Sequence, residues 1–121
     1  MNQYEDEVAE RWGNTDAYKQ SVSKTSRYSR EDFLAAKVDQ EAATEQFVYA
    51  FGNGLRPTSD EAQAAVTAHR AAITKWFYDC SVEMQKQLAI MYIQDRRFKE
   101  YYDGRARGLA QFVHDAIMAQ Q

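Results

Sequence analysis

Residues Thr58–Phe77, TSDEAQAAVTAHRAAITKWF, decide the fold class. Ala62, Ala65, Val66, His69, Ala72, Ile73, Trp76 and Phe77 recur at intervals of one and three, which puts them on one side of an α-helix. Thr58 and Glu61 have the spacing of a capping box, in which a hydroxyl and a carboxylate bond the free amides of the first turn. Pro57 before the cap cannot continue any preceding helix. The pattern predicts five turns of amphipathic helix with an alanine-rich inner face.

The same period continues on both sides. Upstream, Ser29 and Asp32 form a weaker capping box for a long helix. Its inner row is read as Phe33, Ala36, Gln40, Ala43, Phe47, Val48 and Phe51, and Gly52-Asn53-Gly54 ends it. Downstream, the chain around Asp79–Ser81 either breaks or runs straight on. The next helix shows Met84, Leu88, Met91 and Tyr92 on one face. A short helical turn over 95–102 ends near Gly104, and a last helix over 109–118 carries Leu109, Phe112, Val113, Ala116 and Ile117 inward. One proline and five glycines leave few turns for an all-β fold. The expected architecture is one all-α domain over residues 1–121.

The N-terminus differs from the rest. Tyr4–Ser21, YEDEVAERWGNTDAYKQS, is polar and strongly charged, yet holds Tyr4, Trp12 and Tyr18. Two short helices are expected, over 3–12 and, capped by Thr15, over 16–24. Tyr4, Val8 and Trp12, then Tyr18 and Val22, make a thin stripe that buries too little surface to offset its own ordering entropy. Residues 1–28 therefore read as a segment that needs the helical core of 29–121, or a ligand, to pack on.

Composition narrows the function classes. Hydrophobic residues make up 45% of the chain, enough for a single modest core. The net charge of −3 argues against nucleic-acid binding by this chain itself, which needs a basic surface. No apolar run approaches the roughly 20 residues that span a bilayer, and the polar, acidic start is not a signal peptide. The single cysteine, Cys80, excludes an intrachain disulfide and fits a reducing cytoplasm.

No catalytic motif is present: no phosphate loop, no HExxH, no CxxC and no nucleophile elbow. Gly52-Asn53-Gly54 follows a helix, so it is a helix end and not a nucleotide loop. Glu5, Asp6, Glu7 and Glu10 have ordinary surface spacing. His114 falls off the apolar stripe of the last helix and reads as solvated. His69 lies on an apolar face, either as a bonded core histidine or as a polar anchor in a cleft; as the only candidate haem or metal ligand it lacks a second ligand at suitable spacing. Cys80 follows Asp79, a carboxylate that opposes thiolate formation, and reads as a buried, inert thiol. Arg96, Arg97, Lys99, Arg105 and Arg107 form a basic cluster, either a solvated face or a contact to an anion. Trp76, Phe77, Tyr78, Met84, Met91, Tyr92, Phe98, Tyr101 and Tyr102 exceed what one small core needs and suit an adaptable apolar pocket.

Four stretches carry a family resemblance: Trp12-Gly13-Asn14-Thr15-Asp16-Ala17-Tyr18, Asp79-Cys80-Ser81-Val82-Glu83-Met84, Met91-Tyr92-Ile93-Gln94-Asp95-Arg96-Arg97-Phe98 and Gly108-Leu109-Ala110. In order and spacing they resemble the TipAS antibiotic-recognition domain, the C-terminal sensor of TipA-like activators of the MerR family. The resemblance implies a globin-like all-α fold without haem. It implies a cleft for bulky multi-ring antibiotics such as thiopeptides, closed by mobile N-terminal helices that act as a lid. It also implies that DNA is met only through a separate helix-turn-helix domain, joined by a dimerising coiled coil, so that the intact regulator is a homodimer. Neither of those parts precedes Met1, so the chain is either an excised sensor or a free-standing, drug-sequestering form. The family's best-studied type captures thiopeptides through a cysteine whose matching position is Gln87, while Cys80 matches its non-attaching cysteine; reversible binding is implied. The expected ligand-binding set is Trp12, Tyr18, His69, Trp76, Phe77, Cys80, Met84, Gln87, Met91 and Tyr92. No enzymatic activity, cofactor, metal or membrane contact is expected.

Overall fold

Helix caps divide the chain where the sequence changes period. The computed structural model describes residues 15–120. Among them it has six helices and no strand: α1 (Asp16–Thr25), α2 (Arg30–Gly52), α3 (Asp60–Trp76), α4 (Val82–Gln94), α5 (Arg96–Asp103) and α6 (Leu109–Ala119). The helix expected over 3–12 lies outside the described residues. Thr15 Oγ1 accepts from the Tyr18 amide at 3.1 Å and starts α1. Ser29 and Asp32 exchange both bonds of the capping box that starts α2. At α3 the cap is Ser59, whose Oγ accepts from the Ala62 amide at 3.2 Å. The expected Thr58–Glu61 box is thus one residue out of register, because either of two adjacent hydroxyls could cap the same pattern. Ser81 caps α4, so the chain does break after Trp76.

Asp95 closes α4 and opens α5, its Oδ1 accepting from the Arg97 amide at 3.0 Å. Before α6 the chain turns at Gly108, with φ of 90°, and an added Cβ would meet the Phe51 ring at 3.4 Å. This helix start has no side-chain cap of its own; Asp103 Oδ1 reaches across to the Ala110 amide at 2.9 Å.

Packing centres on α6, the most apolar helix, which buries Leu109, Ala110, Phe112, Val113, Ala116 and Ile117 against α2, α3, α4 and α5. Small residues on α3 (Ala62, Ala65) and α2 (Ala43, Ala50) let those two helices pack closely along Phe47 and Val66. The seven-residue connection between them makes them antiparallel neighbours. Trp76, the last residue of α3, lies level with Asp39 of α2, to which its indole bonds. Residues 30–38 therefore project beyond the end of α3. That is why Phe33 is 48% exposed and Leu34 and Val38 are exposed, although Phe33 was expected inside. Gln40 is exposed as well, and Thr44 and Ala50 take the inner places.

The inner row of α4 is also shifted by one position. Gln85, Ala89 and Tyr92 are buried, whereas Met84, Leu88 and Met91 are half-buried on its flank. A glutamine at the centre of a core row hides the true phase from a hydropathy reading. Among the described residues, no helix is long and apolar enough to cross a membrane.

Candidate ligand-binding site

The C-terminal end of α3 gathers side chains from three parts of the chain. Trp76 Nε1–H donates to Asp39 Oδ2 at 2.7 Å, and Lys75 Nζ reaches the same oxygen at 3.3 Å. Those two donors hold the Asp39 carboxyl below its ordinary value. Lys75 Nζ also sits 4.9 Å from the Trp76 ring centroid, a cation–π contact. The Tyr28 ring meets Trp76 edge to face at 5.7 Å and Phe33 at 5.5 Å. Its hydroxyl donates to the Trp76 carbonyl at 2.6 Å.

Helix α1 lies against this end, and none of its residues is buried. Tyr18 on α1 and Trp76 and Phe77 at the end of α3 are all half-buried. Trp12 lies outside the described residues. On α4, Met84 and Met91 are half-buried and Gln87 is exposed, one row along the helix surface beside the core.

His69 and Tyr92 sit deeper, at 3% and 7% exposure. His69 Nε2 lies 3.0 Å from the Tyr92 hydroxyl, and Gln85 Nε2 is 2.8 Å from His69 Nδ1. Gln85 Nε2 also donates to the Val66 carbonyl at 2.9 Å. Its Oε1 accepts from Arg70 Nη1 at 3.2 Å and from Gln120 Nε2 at 2.8 Å. This pattern assigns the amide orientation, so His69 Nδ1 must accept. The ring is then neutral, with its proton on Nε2 directed at Tyr92. Burial lowers the imidazole pKa to about 4, and the nearby Arg70 charge adds to the shift. Of the alternatives open in the sequence, the bonded core histidine is the arrangement found. No buried polar side-chain atom among the described residues lacks a partner.

Cys80 lies in the α3–α4 link at 8% exposure, its amide donating to Thr74 Oγ1 at 3.1 Å. Burial pushes its thiol up to about 11, against a smaller opposing effect of Arg70. Neither His69 nor Cys80 is set up as a base or nucleophile. Among the described residues, no three His, Cys, Asp or Glu side chains cluster as a metal site would require.

The basic cluster is largely paired within the chain. Arg105 binds both carboxylate oxygens of Glu41 at 2.7 and 2.6 Å, with its guanidinium 4.1 Å from the Tyr101 ring centroid. Arg96 pairs with Glu100, Arg97 with Asp95 and Lys99 with Asp103. His114, read as solvated, is half-buried and bonded to Asp115 Oδ1 at 2.9 Å.

Sequence reasoning missed Tyr28, Asp39, Lys24, Gln20 and Gln85. The first four act across helix ends and leave no periodic trace. Gln85 could have been found from the i, i+4, i+7 row that it forms with Ala89 and Tyr92.

Comparison with known proteins gives a consistent answer. The family model described as the TipAS antibiotic-recognition domain matches residues 4–120. The chain is 42% identical over 118 residues to the HTH-type transcriptional activator TipA of Streptomyces coelicolor, covering 98% of this chain and 47% of that protein. It is 31% identical over 115 residues to the HTH-type transcriptional activator mta of Bacillus subtilis, covering 95% of this chain and 44% of that protein. It thus spans about half the length of the curated relatives it matches. A solved structure of TipAS from Streptomyces lividans in complex with nosiheptide superposes with a TM-score of 0.88 at 43% identity, covering 97% of this chain and 82% of that one. The all-α architecture expected from the sequence is the one found, and the chain belongs to the TipAS antibiotic-recognition domain family.

Proposed function

We propose that this chain is the ligand-sensing domain of a MerR-family transcriptional activator and that it binds thiopeptide-like, multi-ring antibiotics reversibly. The carrying observation is the end of α3. Trp76 and Phe77 are half-buried there, and α1, which lies against this end, buries none of its own residues. A site covered so thinly can admit a large apolar ligand without breaking the core around α6. The likeness to a TipAS structure holding nosiheptide supports this class of ligand.

In this reading Tyr18, Trp76, Phe77, Met84 and Met91 supply apolar contact, and Gln87 supplies a polar one. His69, Cys80 and Tyr92 back the site from the core, and Trp12 closes it as part of a lid formed by residues 1–28. Burying about 400 Å² of apolar surface contributes roughly 10 kcal/mol gross, part of which is offset by ordering the lid. The intact regulator is cytoplasmic and dimeric and meets DNA through a separate domain. It couples to this site by differential affinity for two conformations.

Titration with nosiheptide tests the reading. Binding should change tryptophan fluorescence and slow amide exchange in α1, and denaturation should release unmodified protein. Saturating nosiheptide that alters neither signal would sink it. The second reading, a free-standing protein that sequesters the drug, rests on the same site. The mass of the cellular product separates the two, since a regulator carries additional chain.

A further inference from the structure

Gly52-Asn53-Gly54, at the end of α2, carries chemistry that the binding site does not use. Of the three asparagines in the chain, Asn2, Asn14 and Asn53, only Asn53 precedes a glycine. A glycine has no side chain to shield its amide nitrogen from a preceding asparagine amide. Asn53 is exposed, and Gly54 turns the chain with φ of 69°.

Both reacting groups are tied down in the fold. Asn53 Nδ2 donates to the Tyr49 carbonyl at 2.7 Å, which draws the side chain back along α2. The Gly54 amide donates to the Phe51 carbonyl at 3.1 Å, and the Leu55 amide to the Ala50 carbonyl at 3.0 Å. These bonds close the last turn of α2, and helix ends are where a fold opens most readily.

We propose that Asn53 is a site of spontaneous deamidation and that the closed end of α2 is its gate. When the turn opens, the Gly54 nitrogen gives its proton to hydroxide and attacks Asn53 Cγ. The N–Cγ bond forms, the Cγ–Nδ2 bond breaks, and Nδ2 takes a proton from water and leaves as ammonia. Water then opens the imide ring at one of its two carbonyls. Opening at Cγ leaves aspartate. Opening at the main-chain carbonyl leaves isoaspartate, whose main chain runs through Cβ and Cγ.

Either product loses the donor to the Tyr49 carbonyl and sets a carboxylate at the negative pole of α2. Isoaspartate also lengthens the backbone just before Leu55, which packs against the core. It therefore loosens the connection that sets α2 against α3. None of these steps depends on what the protein binds.

Peptide mapping by mass spectrometry, on the full chain held at mildly alkaline pH, tests the site. Amide-to-acid conversion should appear at Asn53 before Asn2 and Asn14, with isoaspartate among the products. In guanidinium chloride it should run at least about tenfold faster, because two hydrogen bonds no longer hold the reactants. Aged protein should fall further in urea midpoint than Asn53→Asp, which has the carboxylate but a backbone of normal length. An Asn53→Gln variant kept under the same conditions should hold its midpoint. Asn53 intact in the unfolded chain, or conversion to aspartate without isoaspartate, would overturn the site. Equal rates in the native and unfolded chain would overturn the gate.

Discussion

Gln85 Nε2 donates to His69 Nδ1 at 2.8 Å, and that bond decides which ring nitrogen carries the proton. Because Gln85 Oε1 already accepts from Arg70 and Gln120, the amide cannot turn over without losing both donors. His69 is thus held neutral, its Nε2–H directed at Tyr92, at the junction of α3 and α4.

The depressed pKa of His69 makes stability depend on pH with a definite sign. The unfolded imidazole takes up a proton near 6.5, while the folded one resists until about 4. Between those values the unfolded state binds more protons, so stability falls as pH drops through the window and levels off below it. The full effect is on the order of 3 kcal/mol. Urea unfolding at pH 7 and pH 4.5 measures it. A His69→Gln variant should be less stable at pH 7 and should lose most of the pH dependence in this range.

Removing Gln85 should cost more than removing an apolar neighbour. Gln85→Leu keeps the volume but removes the side-chain donor to the Val66 carbonyl, leaves His69 Nδ1 without a donor and takes an acceptor from Arg70 and Gln120. Stranding several buried groups should destabilise the domain by about 2–4 kcal/mol. The urea midpoint reports it, and a loss under 1 kcal/mol would contradict the network's role.

Cys80 should be slow to alkylate. With its thiol pushed up to about 11, only roughly 0.1% is thiolate at pH 8, against about a quarter for a free thiol. Iodoacetamide followed by intact mass should leave Cys80 largely unmodified in the native protein and label it on unfolding. A Gln87→Cys variant, at an exposed position, should label rapidly at the new residue alone.

Asp39 orients Trp76. Asp39→Ala should release the indole and Lys75 together, changing tryptophan fluorescence while the helical circular dichroism stays the same. Asp39→Asn keeps an acceptor and should lie between the two. Unchanged fluorescence in Asp39→Ala would mean that packing alone fixes the ring.

Much of this was legible in the sequence because it is local. Helix existence follows from 3.6-residue periodicity and from Ser29 and Thr15 at the caps, interactions spanning three residues. Boundaries slipped only where two hydroxyls competed, as at Thr58 and Ser59. The buried rows were less legible. Phe33 has the phase of a core residue, but α3 ends beside Asp39 and offers it nothing to pack on. Gln85 reads as polar, yet its bonds to Val66, His69, Arg70 and Gln120 make it as buried as a leucine.

By itself, the sequence determined an all-α chain with an N-terminal segment poor in core-forming residues, since both follow from composition and short-range spacing. Tertiary structure alone decided that His69 is a neutral core group, that Arg105 pairs with Glu41, and that Lys24 and Tyr28 meet carbonyls at the end of α3. Those outcomes depend on partners 15 to 64 residues away. Which polar group meets which is set by where helices end and cross, and one-dimensional periodicity does not encode that.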